Sequence, residues 1–192
     1  IGNVERVANL FLAKNAMSLV AIIGAAVAGI QFPILPRHMT LISTVTIGIP
    51  AFILALGPNP RRYVPGLLKR VLSFAVPAGA IAGIAVVAAN AVSDDNSGTG
   101  ATMAALMSFF AILFILSRPL KGWKMALLLS MIGLAVTAYV TPLGSNFFGF
   151  THDVTLTTRS AIVGGIAMVC ISGVNRVRSR WLEEKPEGSS PN

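Results

Sequence analysis

Polar side chains interrupt two hydrophobic segments in the first third of the chain, and their chemistry suits cation binding. They are Asn15, Ser18, Ser43, Thr44 and Thr46. Amide and hydroxyl oxygens are typical ligands of hard cations. Gly48 and Pro50 follow at once and weaken a helix, which can free backbone carbonyl oxygens for an ion where the chain lines a cavity. We therefore expect a broken helix and a cation pathway at these positions.

Lys14 stands beside this polar set, inside the first hydrophobic segment. An ionised lysine near the centre of a membrane helix costs about 2.5–3.5 kcal/mol on insertion scales, so such residues tend to mark pathways. One interpretation is a built-in counter-ion that occupies or empties the site. The other places its ammonium at the cytoplasmic head groups, because only about 6 Å of helix separates it from the start of the apolar run at Leu10. The sequence leaves both open.

The composition indicates that most of this chain is embedded in a lipid bilayer rather than dissolved in water. Of its 192 residues 54% are hydrophobic and 11% are charged, with a mean hydropathy of +0.75. Soluble domains carry about 25% charged residues. The net charge of +8 does not indicate nucleic acid binding, because the basic residues form short clusters between apolar runs without interleaved aromatic residues.

The apolar runs predict an all-α, polytopic transmembrane helix bundle with about six spans. Each run is close to the length that crosses a bilayer. The predicted spans are 10–30, 40–57, 72–92, 101–117, 124–141 and 158–175, with Pro, Gly, Asn and Ser between them. We assign residues 10–182 to the membrane domain, 1–9 to the cytoplasmic stalk end of the first helix and 183–192 to a disordered cytoplasmic tail.

Pairs of small residues four positions apart predict close helix packing. Membrane helices associate through such contacts because lipid provides no hydrophobic driving force for helix association. The pairs are Gly79 with Gly83, Gly24 with Ala28, and Ala161 with Gly165. We expect them to pack within one chain rather than between copies. Pro77 in the third span removes a backbone hydrogen bond and predicts a kink.

The basic residues predict the orientation, because Lys and Arg in short loops are retained in the cytoplasm. Of the 15 basic residues, 12 fall on one side: Arg6, Arg61, Arg62, Lys69, Arg70, Arg118, Lys121, Lys124, Arg176, Arg178, Arg180 and Lys185. Arg37 and Arg159 fall on the other. Both chain ends are therefore predicted to be cytoplasmic. Trp123 and Trp181 lie beside the basic clusters, as expected of rings at the head-group level.

Other side chains with reactive chemistry indicate no catalytic residue and no certain metal site. His38 lies in one outer loop, and His152 with Asp153 lies in another, so we expect all three to be solvated. Cys170 is the single cysteine and cannot form an internal disulfide. The first residue is Ile1 rather than Met, from which we expect a segment of a longer protein.

The first hairpin resembles a known family. It is similar to the fifth and sixth membrane helices of P-type ATPases of the calcium-pump class, and to the bacterial E-type cation-transporting ATPases in particular. The matching segments are, in order, IGNVERVANLFLAKN, FPILPRH and MTLISTVTIGIPAFILALGPNPRR. Thr46, Gly48 and Pro50 match the motif of the sixth helix. Ser43 stands where that motif has Asn, and Ile47 stands where it has the ligand Asp. In the fifth helix, the Asn of the family corresponds to Asn15 or Ala16 of this chain, and the Glu of the family corresponds to Ser18 or Leu19.

The resemblance implies the transport domain of an ATP-driven pump in the cell membrane, for Ca²⁺ or another cation. Its implied partners are the bilayer, the cation, and the preceding membrane helices and cytoplasmic ATPase domains. ATP and Mg²⁺ are implied for the whole pump and not for this part, which lacks phosphorylation and nucleotide motifs and should be inactive alone. Without a carboxylate in the hairpin after Glu5, Ca²⁺ would be held weakly. The alternative is a free-standing six-span permease or assembly subunit.

Overall fold

The computed structural model describes residues 2–56, 66–93, 96–120 and 122–183, with side chains from 4 to 180 within those ranges. Throughout this part the regular structure is helical. In chain order the elements are α1 (Gly2–Ala28), α2 (Pro36–Ser43), a π-helical turn (Thr44–Gly48), α3 (Ile49–Leu56), α4 (Leu67–Ser93), α5 (Thr99–Ser117), α6 (Gly122–Val140), α7 (Pro142–Phe148) and α8 (Val154–Glu183).

Six helices of the described part are long and apolar enough to cross a membrane. They are Val4–Ala28, Pro36–Leu56, Leu67–Ser93, Thr99–Ser117, Gly122–Val140 and Val154–Arg180. The predicted all-α bundle with six spans is thereby confirmed. All six helices begin two to six residues before the predicted apolar runs, because the polar residues at their ends are also helical. The second span joins α2, the π-turn and α3 into one rod.

The bundle has two ends, which we name by their contents. The terminal end holds the start of α1, the end of α8 and the turn between α5 and α6. The loop end holds three connections, residues 29–35, 96–98 and 149–153, together with α7. Several sequence predictions fall outside the described residues: Arg61, Arg62, Lys121, Lys185 and residues 184–192 of the predicted tail, along with the side chain of Trp181.

The central helix is α4, which packs against α1, α5 and α8. Its contact with α1 depends on two glycines. A Cβ at Gly83 would lie 2.7 Å from the carbonyl oxygen of Met17, and one at Gly79 would lie 2.7 Å from the Cβ of Ala16. Both distances are too short for a side chain, so the predicted glycine pair sets the closest helix approach in this region.

The other two predicted pairs behave differently. A Cβ at Gly24 would lie 3.0 Å from Val87, which extends the contact between α1 and α4. A Cβ at Gly165 would meet nothing within 4 Å outside its own stretch of helix, so the pair of Ala161 and Gly165 makes no close contact through Gly165. The neighbouring Gly164 does so instead, against Met107 of α5.

Charged groups join the helices at the terminal end. Nη2 of Arg70 on α4 lies 3.2 Å from Oε2 of Glu5 on α1, and its Nε donates to the other carboxylate oxygen at 3.3 Å. The guanidinium of Arg178 on α8 lies 5.4 Å from the ring centroid of Phe74. These contacts tie the starts of α1 and α4 to the end of α8.

The turn between α5 and α6 is held by two buried basic residues. Nζ of Lys124 donates to the carbonyl oxygens of Ser117 and Pro119, each at 3.2 Å. Nη2 of Arg6 lies 3.4 Å from the carbonyl oxygen of Arg118. The sequence suggested only a topological role for these bases, but their relative exposures are 8% and 9%. They therefore also stabilise the C-terminal carbonyls of α5.

Candidate cation site

The second span widens into a π-helical turn at the positions predicted to bind a cation. The turn covers Thr44–Gly48, and the amide of Ile49 donates to the carbonyl of Thr44, five residues earlier. Pro50 follows and has no amide hydrogen to donate. The helix is continuous, so the predicted break is wrong; one turn is expanded instead. Such π-turns are frequent at functional sites.

Thr46 lies at the centre of the widened turn and faces the interior. Its relative exposure is 0%, and its hydroxyl donates to the carbonyl oxygen of Ile42 at 2.6 Å. This bond uses the hydroxyl proton and leaves oxygen lone pairs that can accept or coordinate. Thr46 is thus the one fully buried hydroxyl of the predicted set.

The remaining positions of the second span divide between two faces. Ser43 is half-buried and Pro50 is buried, so both lie on the side of Thr46. Thr44 and Gly48 are exposed. One helical turn therefore presents oxygen atoms both to the bundle interior and to its surroundings.

The polar residues of α1 divide in the same way. Lys14 and Ser18 are half-buried and lie four residues apart, one above the other on a single face, whereas Asn15 is exposed. Helix α1 contacts both the π-turn and α3. Within the described residues, no hydrogen bond joins these α1 side chains to the hydroxyls of the second span, and Lys14 has no hydrogen bond or ion pair.

The interior of this region contains no formal negative charge. Ile47, at the position where the resemblance places an aspartate, is 2% exposed and packs into the hydrophobic core. The sequence has no Asp or Glu between Glu5 and Asp94. No group of three His, Cys, Asp or Glu side chains that could hold a metal occurs in the described part of the chain. A cation at the second span would therefore find neutral oxygen ligands and no carboxylate among residues 6–93.

His38 was predicted to be solvated, and this prediction is wrong. Its relative exposure is 0%, and its Nε2 lies 2.9 Å from the carbonyl oxygen of Phe148. The sequence signal that was missed is Pro36, a residue suited to the first helical turn, which places His38 inside helix α2 rather than in a loop. His152, by contrast, is exposed, and the Asp153 carboxylate accepts from the amide of Leu156 at the start of α8.

Comparison with known proteins gives matches to bacterial transport ATPases. The chain is 36% identical over 211 residues to the calcium-transporting ATPase CtpE of Mycobacterium bovis and to that of Mycobacterium tuberculosis, covering 97% of this chain and 26% of each relative. It is 33% identical over 168 residues to the protein of that name from Mycolicibacterium smegmatis, covering 77% and 21%. The chain thus spans about a quarter of the length of these relatives. No family model and no solved structure matches it.

Six helices that are long and apolar enough to cross a membrane indicate a multi-pass membrane protein. The similarity makes this more specific: the chain matches part of a P-type cation-transporting ATPase of the calcium-pump class, which confirms the resemblance seen in its first hairpin.

Proposed function

We propose that this chain forms part of the ion-translocating membrane domain of an ATP-driven cation pump. The observation that carries the proposal is the 36% identity over 97% of the chain to proteins named calcium-transporting ATPase. The π-turn supports it, because this irregular backbone falls at the motif where the resemblance places cation ligands. ATP and Mg²⁺ would act in other parts of the pump, since this sequence has no phosphorylation or nucleotide motif.

We infer that the cation is Ca²⁺ or another cation held by neutral oxygen atoms. Ser43 and Thr46 would supply hydroxyls on the interior side, and the widened turn around Gly48 and Pro50 would supply carbonyls. Asn15, Ser18 and Thr44 would complete the pathway. Asn15 and Thr44 are exposed here, and polar groups facing hydrocarbon are costly, so further membrane helices of the pump would cover them.

The same helices would provide the negative charge. A divalent cation favours carboxylate ligands, and the spans after Glu5 offer none. The charge balance of the loaded site would therefore be set by residues outside this chain.

Lys14 is proposed as the built-in counter-ion. Its support is that Lys14 is half-buried on α1 and lies one helical turn from Ser18 on the same face.

We further propose that the chain lies in the cell membrane with its terminal end on the cytoplasmic side. Basic residues are concentrated there, and both described chain ends lie on that side. The first turns of α1 would then continue toward the cytoplasmic ATPase domains.

The test is a substitution of Thr46 by Ala in the full-length protein, measured as cation-stimulated ATP hydrolysis. Loss of one buried ligand should raise the half-activating cation concentration about tenfold, and Ser43→Ala should act in the same direction. The matched control is Ser108→Ala in α5. Ser108 is 0% exposed and donates to the carbonyl oxygen of Ala104 at 2.7 Å, so it repeats the local geometry of Thr46 in another helix.

The control variant should keep the cation dependence of the wild type. Equal cation dependence of Thr46→Ala and Ser108→Ala would remove the π-turn from the site. A full-length protein without cation-stimulated ATPase activity would remove the pump proposal and favour the six-span permease.

A further inference from the structure

Contacts at the loop end converge on His38. This residue lies in the first turn of α2, and its Nε2 must donate to the carbonyl oxygen of Phe148, because a carbonyl cannot donate. Its ring also stacks on Phe150, with centroids 5.2 Å apart and planes inclined by 13°. One side chain thus joins the second span to the connection between α7 and α8.

The connection between α4 and α5 closes on the same ring. Gly98 has φ of 76°, a left-handed conformation that favours glycine, and a Cβ there would lie 3.2 Å from the His38 ring. That Cβ would also collide with the carbonyl oxygen of Pro33 in the first connection. Next to it, the amide of Thr151 donates to Oγ1 of Thr99 at 3.0 Å. We call His38, Pro33, Gly98 and residues 148–150 the loop-end cap.

The cap is rigidly connected to the candidate cation site. Helix α2 continues into the π-turn without interruption, so Thr44 lies six residues, or about 9 Å, from His38 along one rod. The cap therefore holds the start of the rod that carries the π-turn, so a movement of α2 away from Phe148 or Gly98 also moves the backbone of the π-turn.

Resting on the function proposed above, we propose that His38 is a positioning residue for release of the cation at the loop end. Its hydrogen bond to Phe148 holds the cap closed. Loss of the bond shifts the equilibrium toward the state in which the π-turn is open to the loop end. Because the hydrogen bond to Phe148 is lost, the shift is roughly threefold to tenfold.

The experiment measures access to the π-turn from the loop end in the full-length protein. A cysteine is introduced by Ser43→Cys after the exposed Cys170 has been removed by Cys170→Ala, together with any cysteine in the parts of the full-length protein outside this chain. A membrane-impermeant, cationic methanethiosulfonate is then added on the loop-end side of sealed vesicles, and the labelling rate is recorded. His38→Phe keeps a ring to stack on Phe150 and loses the donor; His38→Gln restores an N–H donor at similar reach.

We expect His38→Phe to be labelled roughly threefold to tenfold faster than the parent, and His38→Gln to stay near the parent rate. The matched control is Tyr139→Phe, which removes a 2.8 Å hydrogen bond to Thr157 in the same area without touching α2. This control should keep the parent rate. Gly98→Ala, which pushes on the His38 ring, should also accelerate labelling and covers the case in which His38→Phe does not fold.

An unchanged rate in both His38→Phe and Gly98→Ala would overturn the proposal. Equal acceleration by Tyr139→Phe would also overturn it, because the cap would then loosen without a specific role of His38. Fast labelling of His38→Gln would overturn it as well, because the effect would then come from loss of the ring and not of the donor. Labelling needs no ATP, so failure of this inference is separate from failure of the pump proposal, which is measured by ATPase activity.

Discussion

At the scale of single residues, the character of the site depends on an isoleucine. Ile47 is 2% exposed and lies in the core cluster beside Val45 and Leu41. An ionised carboxylate in that position would be buried without a partner unless a cation bound to it. In the proposed site, the apolar side chain would therefore stabilise the empty state at the expense of cation affinity.

Ile47→Asp should make the stability of the protein depend on the cation. Without cation we expect a loss of about 2–4 kcal/mol, and with saturating Ca²⁺ a recovery of several degrees in the unfolding temperature. Thermal unfolding of the full-length protein with and without Ca²⁺ measures both. Ile47→Asn, similar in size to the aspartate and uncharged, is the control and should show the smaller cation dependence. An equal dependence in the two variants would place residue 47 away from the ion.

Lys14→Gln tests the built-in counter-ion. Removal of a positive charge near a divalent cation in a poorly screened interior should lower the half-activating cation concentration roughly tenfold. Lys69→Gln removes an equal charge from an exposed position at the terminal end and should change this concentration little. Identical results for the two variants would indicate that the Lys14 ammonium lies at the head groups.

At the scale of elements, the contact between α1 and α4 is the most demanding packing. Gly83→Ala would place a methyl group 2.7 Å from a backbone oxygen of α1, which only a shift of the helices can relieve. We expect a loss of about 1–3 kcal/mol, seen as a lower unfolding temperature in detergent. Gly133→Ala on α6 meets nothing within 4 Å and is the control, expected within about 0.5 kcal/mol of the parent. Equal losses would contradict the close helix approach.

The elements also show how far the sequence can be interpreted. Apolar run length identified the spans, because the thickness of hydrocarbon leaves few other solutions. Small-residue spacing found the contact at Gly79 but not at Gly164, since spacing does not say which face of a helix meets a neighbour. The π-turn was expected as a break because Gly48 and Pro50 weaken an α-helix without specifying what replaces it. Pro36 indicates that His38 lies in a helix, but the burial of His38 depends on Phe148, 110 positions away, which local sequence does not show.

At the scale of the whole molecule, the distribution of charge predicts the orientation. Of the basic residues that the structure describes outside the middle of α1, eight lie at the terminal end and two at the loop end. The eight are Arg6, Lys69, Arg70, Arg118, Lys124, Arg176, Arg178 and Arg180; the two are Arg37 and Arg159. Because basic residues in short loops resist translocation, this asymmetry favours a cytoplasmic terminal end.

Single cysteines measure this orientation in intact cells, in a background that lacks Cys170 and any cysteine outside this chain. His152→Cys at the loop end should react with a membrane-impermeant maleimide added outside, whereas Ser179→Cys at the terminal end should react only after the membrane is permeabilised. Both native side chains are exposed, so accessibility within the protein does not limit either reaction. Permeabilised cells, in which both sites should label, are the control for expression and thiol reactivity. The opposite pattern would place the loop-end cap on the cytoplasmic side. The ATPase domains would then have to act on the bundle at the end that holds His38.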